Sequence, residues 1–131
     1  MTDGRTTLKR SILVVEDDPL MRMNLVEFLL EQGFEVHEAE HAEAALAVLE
    51  AKPLVRIVVT DVQMPGAMDG RALAHYVRGR WPPTVLVVAS GAEKLTNTDL
   101  SIRSVFLAKP FLPGALLNAI ERLVAEGGET R

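Results

Sequence analysis

Residues 58 to 70 read VVTDVQMPGAMDG, an apolar β-branched run that ends on Asp61 and then enters a turn. A second run of this kind, SILVVEDD at residues 11 to 18, also ends on acidic side chains. Charged side chains are rarely buried without a partner, so these carboxylates are expected at an edge of the sheet. If the two strand ends meet in space, their acids form one site.

Five apolar, β-rich runs alternate with helix-length segments along the chain. Strands are predicted at residues 11–16, 34–38, 56–61, 84–90 and 104–108. Such alternation predicts parallel strands joined by right-handed crossovers, with helices on both faces of the sheet. We therefore predict an α/β fold with a doubly wound, five-stranded parallel sheet. For its strand order we take 2-1-3-4-5, the flavodoxin-like order, which is one of the common orders of such sheets.

The helix after the first strand has recognisable ends. Asp18 is a predicted N-cap, Pro19 takes the first helical position and Gly33 ends the helix. Four apolar residues share one predicted face of this helix: Met21, Leu25, Phe28 and Leu29.

Three further helices are predicted at HAEAALAVLE (residues 41–50), from near Asp69 to before WPP, and after Pro113. The last helix is expected to turn Leu116, Ile120, Leu123 and Val124 inward. Between Gly91 and Arg103 the apolar pattern is weak, so the fourth helix in chain order should be short or irregular.

The composition fits one domain with an aliphatic core, because 48% of the 131 residues are hydrophobic and 5% are aromatic. We expect a flexible segment at 1–9, a domain at 10–126 and a flexible tail at 127–131. The absence of cysteine excludes disulfides, thiolate metal sites and a cysteine nucleophile. No signal peptide and no run near the roughly 18 apolar residues of a membrane span is found, so a soluble, cytoplasmic protein is expected. A net charge of −4 gives no support for nucleic-acid binding.

The predicted strand order brings acidic residues together. Strand order reverses between strands one and three, which end in Glu16, Asp17 and Asp61. Two carboxylates about 4 Å apart repel by roughly 4 kcal/mol at an effective dielectric of 20, so three of them require a counter-charge or protons. Mg²⁺ suits such an all-oxygen site, and Asp61 could then act as a nucleophile toward a phosphoryl group.

Two other polar residues are expected at the same edge. Ser90 ends strand four and Lys109 ends strand five. A hydroxyl and an ammonium group there would bind phosphoryl oxygens.

These residues resemble the receiver domains of response regulators in bacterial two-component signalling, over about residues 10 to 126. By this resemblance Glu16 and Asp17 match the family's acidic pair, which binds magnesium together with Asp61, the phosphoacceptor. The resemblance also implies a hydroxyl position at Ser90, an active-site lysine at Lys109, an aromatic switch at Phe106 and a cis peptide bond between Lys109 and Pro110.

The resemblance implies a signalling mechanism. A histidine kinase or histidine phosphotransfer protein would donate the phosphoryl group to Asp61, Ser90 would move toward it, and Phe106 would follow inward. The surface made by the fourth-helix segment, strand five and the last helix would then change its contacts with a downstream protein that the sequence does not identify. The chain would not be an enzyme beyond weak self-phosphorylation and autodephosphorylation, and a homodimer is compatible with the family.

Two departures from the family pattern leave an alternative open. MPGAMDG has one residue more than is usual, and SIRSVFLAKP at residues 101–110 lacks the Gly-Ala that usually precedes the aromatic. The alternatives are a pseudo-receiver that binds partners without phosphorylation and a receiver fragment of a hybrid histidine kinase. A phosphatase of the haloacid-dehalogenase type is disfavoured, since it requires an aspartate at the position of Gln63. Glycine-rich nucleotide-binding motifs are absent.

Overall fold

The computed structural model describes residues 10–91 and 104–128. Five parallel strands form one sheet in the order β2-β1-β3-β4-β5, as predicted. The strands are β1 (Ser11–Val15), β2 (Glu35–Ala39), β3 (Val55–Asp61), β4 (Val85–Ser90) and β5 (Ser104–Ala108). The helices in the described part of the chain are α1 (Pro19–Glu31), α2 (Ala42–Ala51), α3 (Gly70–Arg80) and α4 (Pro113–Gly128).

The helix predicted between Gly91 and Arg103 lies outside the described residues. No helix within the described ranges is both long and apolar enough to span a bilayer.

Apolar side chains pack on both faces of the sheet, because successive residues of a strand point to opposite sides. Leu13 and Val15 of β1 pack with α2 and α3, whereas Ile12 and Val14 pack with α1 and α4. Every residue of β1 and β4 is buried. This explains why these strands read as continuous apolar runs, and it gives the doubly wound arrangement that the sequence predicts.

The caps of α1 lie where the sequence predicts them. The Asp18 carboxylate accepts hydrogen bonds from the backbone nitrogens of Leu20 and Met21 at 2.9 and 3.2 Å. Gly33 adopts a φ of 95°, which explains the need for glycine after this helix.

Of the four apolar residues predicted to share one face of α1, Leu29 is fully buried, whereas Met21 is 42% exposed. The first turn of α1 borders an opening at the carboxyl ends of the strands, where Met21 is not covered by the packed core. It lines a cleft instead.

The start of α3 is in backbone contact with the end of β3. Asp69 caps α3 by accepting from the Ala72 backbone nitrogen at 2.9 Å, and the Gly70 nitrogen donates to the Val62 carbonyl at 2.8 Å. A Cβ atom at Gly70 would overlap the carbonyl oxygen of Asp61. Asp69 and Gly70 therefore begin a helix and fix it against Asp61, in addition to turning the chain.

We predict that Gly70→Ala lowers the free energy of unfolding by about 1 to 3 kcal/mol, because the added methyl group forces α3 away from β3. Urea denaturation monitored by circular dichroism measures this change. Gly79→Ala in the same helix is the matched control, since a Cβ there would meet no atom within 4 Å. That substitution should leave stability equal or raise it by up to about 1 kcal/mol. Equal effects of the two substitutions would contradict the predicted steric constraint.

Candidate functional site

Three carboxylates converge at the carboxyl edge of the sheet. Ligand oxygens of Glu16, Asp17 and Asp61 all lie within 4.8 Å of one another. The cause is the pairing of β1 with β3: Val15 and Thr60 are register partners, so the residues that follow them come side by side. Glu16 is buried, Asp61 is partly buried and Asp17 is exposed.

Two hydrogen bonds hold Glu16, the first residue after β1, in place. Its nitrogen donates to the Ala39 carbonyl at 3.0 Å, and its carboxylate accepts from the Asp18 nitrogen at 3.2 Å. The carboxylate is therefore held at the sheet edge beside Asp61.

An ammonium group lies against these acids. The Lys109 Nζ is 2.8 Å from the Asp61 Oδ2, and both side chains are largely shielded from solvent. The Lys109 backbone nitrogen donates to the Ser90 carbonyl at 2.9 Å, which fixes the chain just after β5. The peptide bond between Lys109 and Pro110 is cis, as the resemblance implies.

The proximity of these groups alters their proton affinities. Burial raises the pKa of Glu16, and the neighbouring Asp61 and Asp17 charges raise it further against the opposing hydrogen bond from Asp18 and the charge of Lys109. Burial alone would lower the pKa of Lys109, but the hydrogen bond to Asp61 and the acid charges together outweigh it and raise the pKa. One ammonium group therefore faces three acids, and the excess negative charge favours a cation.

Ser90 and Phe106 lie close to this edge. Ser90 is 7% exposed and ends β4, where it is the register partner of Ala108. Phe106 is partly buried, is paired in register with Val88, and packs against the apolar cluster beneath α2 and α3.

A cleft of about 480 Å³ opens beside Asp61 and Lys109. One wall is formed by α1 and the other by the segment that joins β5 to α4, and both are mainly apolar: Met21, Asn24, Leu25, Pro110, Phe111 and Pro113. Leu20 and Leu112, which adjoin the lining residues Met21 and Phe111 in sequence, are 62% and 77% exposed. We did not predict this cleft from the sequence, although the apolar residues after Lys109 are a signal for it.

Arg22 is a second feature of the site that sequence reasoning missed. Its guanidinium group donates to the Glu16 carbonyl at 2.7 Å and to the Glu38 carboxylate at 3.1 Å. An arginine in the first turn of a helix does not by itself predict these contacts, because they depend on the direction of its side chain.

A doubly wound parallel sheet in this order, with acids at its switch point, is the architecture of flavodoxin-like domains. The family model described as the response regulator receiver domain matches residues 12–121. The chain therefore belongs to the response regulator receiver family, whose members are signalling domains rather than classical enzymes.

Two relatives illustrate the range of proteins that contain this domain. The chain is 40% identical over 114 residues to the response regulator protein FleR of Pseudomonas aeruginosa, covering 85% of this chain and 24% of FleR. It is 33% identical over 127 residues to the transcriptional regulatory protein PdtaR of Mycobacterium tuberculosis, covering 95% of this chain and 61% of PdtaR. The chain thus spans only part of the length of each relative.

Solved structures share the fold. A CheY-like response regulator receiver domain protein from Methanospirillum hungatei superposes with a TM-score of 0.83 at 26% identity, covering 95% of this chain and 100% of that one. A response regulator receiver protein from Sinorhizobium medicae gives a TM-score of 0.82 at 25% identity, covering 89% of this chain and 95% of that one.

We predict that Lys109→Met destabilises the magnesium-free protein by about 2 kcal/mol, because it leaves the Asp61 carboxylate shielded among like charges without a cation. Thermal or urea unfolding in a buffer with a chelator measures the change. Glu121→Gln is the control: it breaks the ion pair with Arg10, which has a similar length of 2.7 Å but is exposed. That loss should be below about 1 kcal/mol. A Lys109→Met loss no larger than that of the control would contradict the prediction.

Proposed function

We propose that this chain acts as a single-domain response regulator that accepts a phosphoryl group on Asp61, with residues 10–126 as its receiver domain. The donor is the phosphohistidine of a histidine kinase or of a histidine phosphotransfer protein. The observation that carries this proposal is the convergence of three carboxylates from β1 and β3 on one point, with the Lys109 ammonium 2.8 Å from Asp61.

The acid cluster fits a magnesium ion. Glu16, Asp17 and Asp61 offer only oxygen ligands, which hard divalent cations prefer, and their net charge remains negative after pairing with Lys109. In this proposal the three acids hold Mg²⁺, either directly or through its waters. When bound, the ion offsets negative charge on the transferring phosphoryl group.

The residues of the chain supply the remaining parts of the transfer. An Asp61 carboxylate oxygen forms a bond to phosphorus while the bond from phosphorus to the histidine nitrogen of the donor breaks, which leaves an aspartyl phosphate and a neutral imidazole after proton uptake. Lys109 keeps its proton, because the acids raise its pKa, and donates to the phosphoryl oxygens. Ser90 would provide a hydroxyl donor from the end of β4.

The apolar cleft supports docking of the donor protein at this edge. Its walls, from α1 and the segment after Lys109, adjoin Asp61, so a surface that covers the cleft brings a histidine within reach of the acid. Apolar burial is the main favourable term in such association, and exposed Leu20 and Leu112 extend the surface available to it. We therefore assign this face to the phosphodonor partner.

We propose that the phosphorylated form signals through altered protein contacts, with Ser90 and Phe106 as the switch, in the cytoplasm. Phe106 packs on the same side of the sheet as α3, so its movement would repack that side.

The second candidate function is a phosphorylation-independent pseudo-receiver, favoured by the missing Gly-Ala before Phe106. A receiver fragment of a hybrid kinase is the other alternative. It is supported by a 33% identity over 118 residues to the sensor kinase CckA of Brucella abortus, of which the chain covers 12%.

We expect a small phosphodonor such as acetyl phosphate to label the wild-type chain in the presence of magnesium and not in excess chelator. Asp61→Asn should abolish the label, because an amide is not a nucleophile toward phosphorus. Intact-mass spectrometry detects the added phosphoryl group. Asp69→Asn is the matched control, since it makes the same change past the same strand and asparagine also caps helices. An unlabelled wild-type chain, under conditions that label another receiver, would favour the pseudo-receiver.

Magnesium should also stabilise the folded chain. At ten times the dissociation constant, binding to the native state alone contributes about 1.4 kcal/mol, which corresponds to a rise in Tm of about 4 to 6 °C for a domain of this size. Asp17→Asn should remove most of this shift because it removes a proposed ligand, while Glu27→Gln, an exposed acid on α1, should retain it. Differential scanning calorimetry with and without magnesium makes the comparison. Equal shifts in both variants would rule out Asp17 as a ligand.

A further inference from the structure

Arg22 links the acidic site to the neighbouring strand. From the first turn of α1 its Nη1 donates to the backbone carbonyl of Glu16 at 2.7 Å, and its Nε donates to Glu38 Oε1 on β2 at 3.1 Å. We infer that Arg22 is a positioning residue for the metal site, which holds the peptide between Glu16 and Asp17 so that both carboxylates face the ion. This inference rests on the magnesium binding of the proposed function.

The bonded carbonyl belongs to the peptide unit that joins two proposed ligands. A peptide unit is planar, so fixing the Glu16 carbonyl also fixes the Asp17 nitrogen and the direction in which the chain enters Asp17. Glu16 has further restraints, from Ala39 and from the Asp18 nitrogen. Asp17 is exposed and lies in a bend between β1 and α1, so its orientation is set by the two peptide units that flank it, one held by Arg22 and the other by the Glu16 carboxylate.

The chemistry of arginine suits this role. A guanidinium group presents donors in a rigid plane and can serve a carbonyl and a carboxylate together, whereas an ammonium group is a point charge without that geometry. Arg22 is largely shielded, with 18% of its side chain exposed, and Glu38 neutralises its charge. The pair therefore adds little net positive charge beside a cation site.

A positioning role for Arg22 and simple electrostatics predict opposite effects of Arg22→Met on magnesium affinity. Arg22→Met removes a positive charge near the acids, so electrostatics alone would strengthen magnesium binding. If Arg22 orients the ligands, the same substitution weakens binding, because Asp17 then has to be ordered when the ion binds. The sign of the change separates the two explanations.

Isothermal titration calorimetry of the full chain with MgCl₂ provides the test. Arg22→Met and Arg22→Lys should each raise the Kd by about tenfold, as is usual when a group that orients a metal ligand is lost. Arg80→Met is the matched control: Arg80 also pairs with a glutamate, Glu50 at 3.4 Å, but at the far end of α3. Its Kd should equal that of the wild type.

A second readout needs no metal. In the magnesium-free chain, the ¹⁵N order parameter of the Asp17 amide should fall in Arg22→Met and stay unchanged in Arg80→Met. Circular dichroism identifies a variant that fails to fold, in which case Arg22→Lys decides the question.

Equal or tighter magnesium binding by folded Arg22 variants would overturn the inference. A wild-type chain that binds magnesium but takes no label from acetyl phosphate would overturn the phosphoacceptor proposal alone, and the titrations would still decide the role of Arg22. A wild-type chain that binds no magnesium would overturn both.

Discussion

Adjacent parallel strands end at the same edge of a sheet, and this constraint forces acids that are distant in sequence into one place. β1 and β3 are hydrogen-bonded neighbours, so Glu16 and Asp61 follow paired residues and cannot separate without breaking the register. The resulting repulsion has to be offset locally. Lys109 does so from the end of β5, which is not a neighbour of β3 in the sheet, by reaching past the end of β4 to Asp61. Burial, together with the neighbouring acid charges, raises the pKa of Glu16. Burial alone would lower the pKa of Lys109, but its hydrogen bond to Asp61 and the acid charges raise it.

Most of the fold could be predicted because its determinants are local in sequence. Apolar, β-rich runs located each strand to within one residue, and Asp18, Pro19 and Gly33 fixed the ends of α1 through caps and φ preferences. The alternation of elements and the handedness of crossovers indicated a doubly wound parallel sheet, and the order 2-1-3-4-5 is one of the common orders of such sheets. The exposure of Met21 has a different origin: helical periodicity gives the face on which a residue lies but not whether the core covers that face at every turn. At the first turn of α1 this face borders an open cleft.

The convergence of the site residues could be predicted because it follows from the strand ends, whose determinants are local in sequence. Glu16, Asp17, Asp61 and Lys109 each terminate or follow a recognisable strand, and the sheet topology then brings them together. Arg22 and the apolar cleft were not predictable, because both depend on side-chain directions and on the distance between α1 and the segment after β5. The close approach of Gly70 to Asp61 was also hidden, since the Asp69-Gly70 pair has the same appearance whether it turns the chain or begins a helix.

The contact of Gly70 with β3 has a consequence for the segment between them. The buried Val62 donates its backbone N–H to the Ala89 carbonyl, and the Gly70 nitrogen donates to the Val62 carbonyl, so both ends of the connection are anchored at Val62. Residues 63–69 thus form a loop that is closed at its base, with Met64 and Met68 packed against the core. The additional residue in MPGAMDG lies within this loop, where Gly66 takes a φ of 103°. Natural variation or an inserted reporter peptide in this loop can therefore change which groups approach the acids, while the hydrogen bonds at the base of the loop keep Asp61 in place.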